Sequence, residues 1–237
     1  MGFFDFVEGP NAGAASGANP VRLNKRHTFL VQPFVDQIKG ARVLDLGAYD
    51  GRWSYALAAA GAAEVVGIEG RAGAMALFEG FPDTDFKSRV RMIHGDLWDE
   101  LERAVAQGER YDVVAVYGIY YHIMDHFRLL GLLRRLGARL VLIDSEFALR
   151  PGASIVLALE STQKWSNAIP QAQGQEMAVV GIPSFQAMEH MALAAGYACH
   201  WYDVKATFDK DREGVRDYFR SERKVRAFCH LTLIGSP

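Results

Sequence analysis

An α/β fold is what this sequence predicts: a Rossmann-like, doubly wound seven-stranded sheet, mostly parallel, with an antiparallel C-terminal strand. Three observations predict it. Short apolar runs that suit strands buried on both faces recur from residue 42 onward, as in Val43 to Leu46, Val65 to Ile68 and Val113 to Val116. Amphipathic helical stretches separate these runs. Glycines mark the turns between them, and the first such turn opens a helix.

The elements follow in order. Residues 9 to 20 (GPNAGAASGANP) read as a small-residue linker, and residues 21 to 39 as a helical cap over the cleft. Residues 1–39 thus form an N-terminal linker and cap, and residues 40–237 the main domain. In the first strand, Asp45 sits near the C-terminal end, where open α/β sheets place ligand groups. A buried carboxylate there needs a partner, because leaving it unpaired is costly. Gly47 and Gly51 allow positive φ and close backbone approach to a ligand. The turn between them, Gly47-Ala48-Tyr49-Asp50-Gly51, is not the glycine pattern that cradles a pyrophosphate, and Asp50 would repel one. S-adenosylmethionine has no phosphate and carries a cationic sulfonium, so it tolerates these acids. Its α-ammonium would suit Asp45.

Glu69 closes the second strand, 24 positions after Asp45, about where a carboxylate would accept from both ribose hydroxyls. The competing reading is that it ends a strand or caps the next helix. Asp96 ends the third strand, where it would accept from the adenine amine under apolar cover from Leu97 and Trp98. It would serve equally as a helix N-cap. Ala48, Gly70 and Tyr117 complete the expected cofactor contacts. The fourth strand runs into GIYYHIMD, a polar and aromatic cluster on the same cleft. The fifth covers residues 139 to 146. Residues 147 to 183 form a substrate-side excursion with a strand pair (155–159 and 177–180). Ser184 is placed to cap a helix over 184–195. Two last strands, near 197–206 and 226–234, flank a charged helix.

Three segments resemble one family. DLGAYDGRWS is similar to a DIGAWDGFWS-like motif, GIYYHIMD to a GVLYHLxDP-like motif, and GIPSFQAMEHMALAAGY to an xxPSxxALxxxLxxAGF-like segment. Together they resemble the class I S-adenosylmethionine-dependent methyltransferases. Within that class they resemble the branch of the tRNA wobble-uridine methyl- and carboxymethyl-transferases and their small-molecule relatives. The resemblance spans residues 40 to 200. Tyr49 stands where the family usually has a glycine, and His126 where a proline usually follows Asp125. The resemblance implies a methyltransferase that turns S-adenosylmethionine into S-adenosylhomocysteine, with tRNA as one candidate acceptor.

Methyl transfer from a sulfonium needs an aligned acceptor, excluded water and sometimes a base. His122, beside the expected methyl group, and Tyr121 are the candidate catalytic residues. A loop-bonding imidazole is the competing reading of His122. Tyr117, Tyr120 and Tyr121 would wall the acceptor site, and Trp165, Asn167 and Gln171 would line it or be exposed. Asp144 and Glu146 with His122 have a generic metal-ligand look, but strand-end acids are common, so no metal is assigned. Arg212, Arg216, Arg220 and Arg223 recur at helical spacing among acids, as on a salt-bridged solvated helix.

Composition bounds the rest. A net charge of −2 over 237 residues gives no general attraction to nucleic acid, so a small-molecule acceptor is favoured over RNA. No run reaches transmembrane length, and MGFFDFVEG lacks the basic start of a secretory signal, so a cytoplasmic protein without membrane partners is expected. Cys199 and Cys229 read as reduced thiols in neighbouring strands. A non-catalytic cofactor-binding protein is the remaining alternative, and the oligomeric state is not readable.

Overall fold

The computed structural model describes residues 2–8 and 19–235; residues 9–18, most of the expected linker, lie outside the described residues. The elements run α1 (Pro20–Leu30), α2 (Val35–Ile38), β1 (Arg42–Leu46), α3 (Arg52–Ala59), β2 (Glu64–Glu69), α4 (Ala72–Met75), β3 (Val90–His94), α5 (Leu97–Ala106), β4 (Val113–Tyr117) and α6 (His126–Arg135). They continue with β5 (Leu140–Ala148), β6 (Ile155–Ser161), β7 (Met177–Pro183), α7 (Phe185–Ala194), β8 (Tyr197–Trp201), α8 (Val204–Phe208) and β9 (Lys224–Leu233).

Seven strands form one sheet in the order β3-β2-β1-β4-β5-β9-β8. The first five are parallel, and β9 runs antiparallel to both β5 and β8. The apolar runs are continuous because both faces are covered. Side chains alternate between two cores, as strand geometry requires. Val43, Val113, Ala115 and Leu142 pack with α1 and α3 through Phe29, Leu30 and Leu57. Leu44, Val114, Val116 and Ile143 pack with α6 and α7 through Leu129, Leu133 and Met188. Truncating fully buried Leu142 to alanine would cost about 2–5 kcal/mol.

Local chemistry sets the helix starts. Asn19 accepts from the Arg22 amide, and Pro20 fills the first turn of α1, where its missing N–H is not needed. Ser184 accepts from the Ala187 amide to cap α7. The stretch over 21–39 is broken into α1 and α2 by a 3₁₀ turn at Gln32–Phe34. The excursion contains β6 and β7 as a separate antiparallel pair.

The arginine stripe does not form. Helix α8 ends at Phe208, and the chain turns through Gly214 into a 3₁₀ turn at Arg216–Phe219. Gly214 has φ +73°, and a Cβ there would lie 2.8 Å from the Arg22 Cα, so only glycine fits the close approach to α1. Arg212 pairs with Asp209 and Arg220 with Glu146, while Asp217 is taken by Arg22 of α1. Tertiary ion pairs replace the expected helix. Cys199 and Cys229 are free and sit on paired strands; burial, with Cys199 beside it, pushes the Cys229 thiol up.

Candidate active site

A cavity of about 390 Å³ opens beyond the C-terminal ends of β1, β2 and β4. This is the crevice where the strand order reverses, since β1 pairs with β2 on one side and β4 on the other. Gly47, Ala48, Glu69, Gly70, Asp96 and Leu97 line one end, and Tyr117, Tyr121, His122, Arg26 and Arg226 the other.

At the first end the backbone does most of the shaping. Gly47 has φ +65°, and a Cβ there would come within 2.9 Å of the Ile119 side chain. Tyr49 has φ +55°, unusual for a bulky residue, and its amide donates to Glu69 Oε2 at 2.8 Å. The Arg71 amide donates to Glu69 Oε1 at 2.8 Å. Each Glu69 oxygen therefore keeps a lone pair for a ligand hydroxyl. Asp96 accepts from the Trp98 and Asp99 amides through Oδ1, so it caps α5 while also lining the cleft.

Three of the expected cofactor residues stand behind the lining. Asp45 is buried and accepts from Ser54 Oγ at 2.7 Å. Burial pushes its pKa up to about 7; the Ser54 hydrogen bond opposes this, and the charges of Glu69 and Asp50 add to it. Asp50 is fully buried and held by the Arg52 guanidinium, with Nε at 2.7 Å, so its charge is neutralised within the loop. Gly51, at φ +78°, starts α3 against Phe78, and a Cβ would fall 2.5 Å from that ring.

At the other end, His122 Nδ1 lies 2.6 Å from Glu160 Oε2, on β6. A neutral imidazole donating from Nδ1 carries its acceptor lone pair on Nε2. Burial alone would raise the Glu160 pKa; the hydrogen bond from His122 holds it below the usual value. Tyr121 packs beside His122 with ring centroids 4.0 Å apart. The Tyr117 hydroxyl donates to the Leu30 carbonyl at 2.7 Å, tying β4 to α1. Tyr120, expected in this wall, turns into the opposite core, where its ring packs 4.6 Å from His126.

Beneath this wall Asp144 is fully buried. It accepts from Arg26, from Arg226 Nη2 at 2.9 Å and from the Tyr218 hydroxyl at 2.7 Å. Burial would raise its pKa, but Arg226 and Arg26 bring it down to about 2. Glu146 is bound by Arg220 and Lys224. Neither acid is near His122 as a ligand set, and among the described residues no three His, Cys, Asp or Glu side chains gather as a metal site would require.

The sequence matches no protein-family model. Over 128 residues it is 35% identical to the ribosomal RNA large subunit methyltransferase E of Acidiphilium cryptum (strain JF-5). That match covers 51% of this chain and 50% of the relative, so the chain spans about half the length of that protein. The structure is similar to the N-terminal domain of EvdMO1, crystallised in the presence of SAH and D-fucose. The TM-score is 0.66 at 17% identity, over 92% of this chain and 85% of that one. An S-adenosylmethionine-dependent methyltransferase from Mesorhizobium loti matches at TM-score 0.57 and 17% identity, over 84% of this chain and 96% of that one. The fold is that of the class I S-adenosylmethionine-dependent methyltransferases.

Within that methyltransferase fold, the sequence-derived candidates Gly47, Ala48, Glu69, Gly70, Asp96, Leu97, Tyr117, Tyr121 and His122 share one cavity, and the excursion residues Trp165, Asn167 and Gln171 roof it. Sequence reading missed Arg26, Arg71, Glu160 and Arg226. A signal existed for two of them. Arg26 interrupts the buried stripe Leu23, Arg26, Leu30 of α1, and Arg226 stands inside the apolar run of β9. A charge on a buried face needs a partner or a ligand.

Proposed function

We propose that this protein binds S-adenosylmethionine in the cleft and transfers its methyl group to an oxygen or nitrogen of a small-molecule acceptor by in-line displacement, releasing S-adenosylhomocysteine. The observation that carries the reading is the cleft's polarity along its length. Glu69 and Asp96 offer free carboxylate lone pairs at one end, and an imidazole backed by Glu160 stands at the other. Glu69 takes the ribose hydroxyls, Asp96 the adenine amine, and Asp45 the α-ammonium through intervening groups. The cofactor supplies an electrophilic methyl. His122 then orients the acceptor and accepts its proton through Nε2 where the acceptor is not already ionised. Tyr121 and the loop over 162–171 exclude water.

The acceptor end has its own charge. Arg26 and Arg226 share the single carboxylate Asp144, which leaves one buried positive charge in the wall. An acceptor bearing an anionic group fits this wall better than a cationic one.

A second reading, methylation of RNA, is favoured by the partial likeness to an rRNA methyltransferase. The net charge of −2 weighs against it. The test is transfer of labelled methyl from S-adenosylmethionine to a metabolite extract and, separately, to tRNA and rRNA. Labelling of small molecules that His122→Ala abolishes supports the reading. Labelling of RNA alone, with affinity that falls steeply as salt rises, would replace it. No helix among the described residues is long and apolar enough to cross a membrane, and we take the protein to act in the cytoplasm.

A further inference from the structure

We propose that Arg71 and Glu160 are positioning residues that couple the acceptor side to occupancy of the cofactor side, through one hydrogen-bonded path from Glu69 to His122. The proposal rests on reading the cleft as an S-adenosylmethionine site.

The path begins at Glu69, whose Oε1 accepts from the Arg71 amide at 2.8 Å. The Arg71 side chain reaches across to the loop joining β6 and β7. Its Nη2 faces the carbonyls of Thr162, Lys164, Asn167 and Ala168 at 3.0, 3.1, 3.2 and 3.3 Å. One NH₂ group has two hydrogens, so four carbonyls share them. These loop carbonyls have no strand ladder to satisfy them, and the guanidinium is the hub that gathers them.

Glycines let the loop sit down on the β2–α4 turn. A Cβ on Gly70 would fall 2.7 Å from Ile169 Cδ1, and one on Gly73 would fall 3.0 Å from Trp165. The loop therefore seats directly on the turn that carries Glu69 and Arg71.

The far end of the path is Glu160. Its Oε2 accepts from the Ala168 amide at 3.3 Å and pairs with His122 Nδ1 at 2.6 Å. One carboxylate oxygen thus serves both the loop and the imidazole. When the loop lifts, Glu160 loses the Ala168 contact and His122 loses a fixed partner. A ligand that holds Glu69 and the following turn in place favours the seated loop, and so the oriented imidazole. That is a population shift between two loop positions. Linkage makes it reciprocal, so an acceptor bound beside His122 tightens the cofactor.

The test uses the full chain with S-adenosylhomocysteine as the probe. Hydrogen exchange is followed over residues 160–176, and the ring nitrogens of His122 are observed by NMR, assigned by their loss in His122→Asn. In the wild type, S-adenosylhomocysteine should slow exchange in this segment roughly tenfold, in line with ordinary coupling strengths. It should also fix His122 as the Nδ1–H tautomer. Arg71→Ala, and Arg71→Met should alanine prove unstable, should lose both responses while the amides of β1 and β4 stay protected. Glu160→Ala should bind the probe within about twofold of wild type yet lose the His122 response, and Glu160→Gln, which keeps an acceptor oxygen, should restore it. A wild type that binds the probe with no change in loop or imidazole overturns the coupling alone. So does an Arg71 variant that responds like the wild type. A wild type that does not bind the probe overturns the cofactor reading and the coupling with it.

Discussion

The end of the cleft around Glu69 and Asp96 is assembled within a stretch of some fifty residues, from strand ends and the turns that follow them. The end around His122 is lined by residues 26, 122 and 226, from a helix, a turn and the last strand, with Glu160 of the hairpin bonded behind His122. The first end presents backbone-held carboxylates, whose geometry is set by β1, β2 and β3. The second holds long charged side chains whose positions depend on tertiary ion pairs. On the proposed reading, cofactor recognition is a property of local turns in this fold, whereas acceptor recognition is a property of what the rest of the chain brings to the sheet edge.

The sharpest way to separate the two ends is at His122. His122→Ala should lower turnover by roughly 10²–10⁴-fold if the imidazole moves a proton. Binding of S-adenosylhomocysteine, measured by calorimetry, should stay close to wild type. A comparable loss of cofactor affinity would show that the imidazole itself contacts the cofactor. His122→Asn separates proton transfer from positioning: retained turnover with an unchanged pH profile would leave only the positioning role.

Asp144 supports the acceptor end from below. Asp144→Ala strands the Arg26 and Arg226 guanidiniums in the core, and breaking a buried pair this way costs about 3–5 kcal/mol. Urea unfolding should show that loss. A change below about 1 kcal/mol would mean that water reaches the arginines. Arg26→Met with Asp144→Ala should recover part of the stability, because fewer charges are left unpaired.

Asp45 tests the other end of the cleft. The folded protein holds its proton up to about pH 7, whereas the unfolded chain releases it near 3.8. Folding then takes up a proton between those values, so the contribution of Asp45 to stability is full below about pH 4 and declines as pH rises towards 7. Asp45→Asn should flatten this part of the stability profile. An unchanged profile would mean that Asp45 is ionised and solvated in the free protein.

The difference between the ends also explains what could be read from the sequence. The sheet, its antiparallel closing strand and the first end of the cleft follow from runs and turns contiguous in the chain, such as VLDLGAYDG and VVGIEG. Asp96 was open between a helix cap and a ligand contact, and it does the first while standing where it can do the second. Glu160 could not be recognised, because a single acid in an alternating strand is ordinary until its register sets it opposite His122. The arginine stripe misled because helical spacing from 212 to 223 passes through Gly214, and Arg22 and Glu146, pairing with Asp217 and Arg220, pull the segment against α1 and β5. Spacing reports a helix only when no closer tertiary partner competes for its charges.

We infer that carboxylates at the ends of β2 and β3 hold S-adenosylmethionine. Calorimetric titration of S-adenosylhomocysteine into the wild type and into Glu69→Ala tests it most directly, with NAD and ATP as controls. One site per chain is expected for S-adenosylhomocysteine, none for NAD or ATP, and affinity at least about tenfold weaker in the variant, since hydrogen bonds to a charged group contribute about 1.5–3 kcal/mol. No heat with S-adenosylhomocysteine, or equal affinity in a folded Glu69→Ala protein, would contradict it.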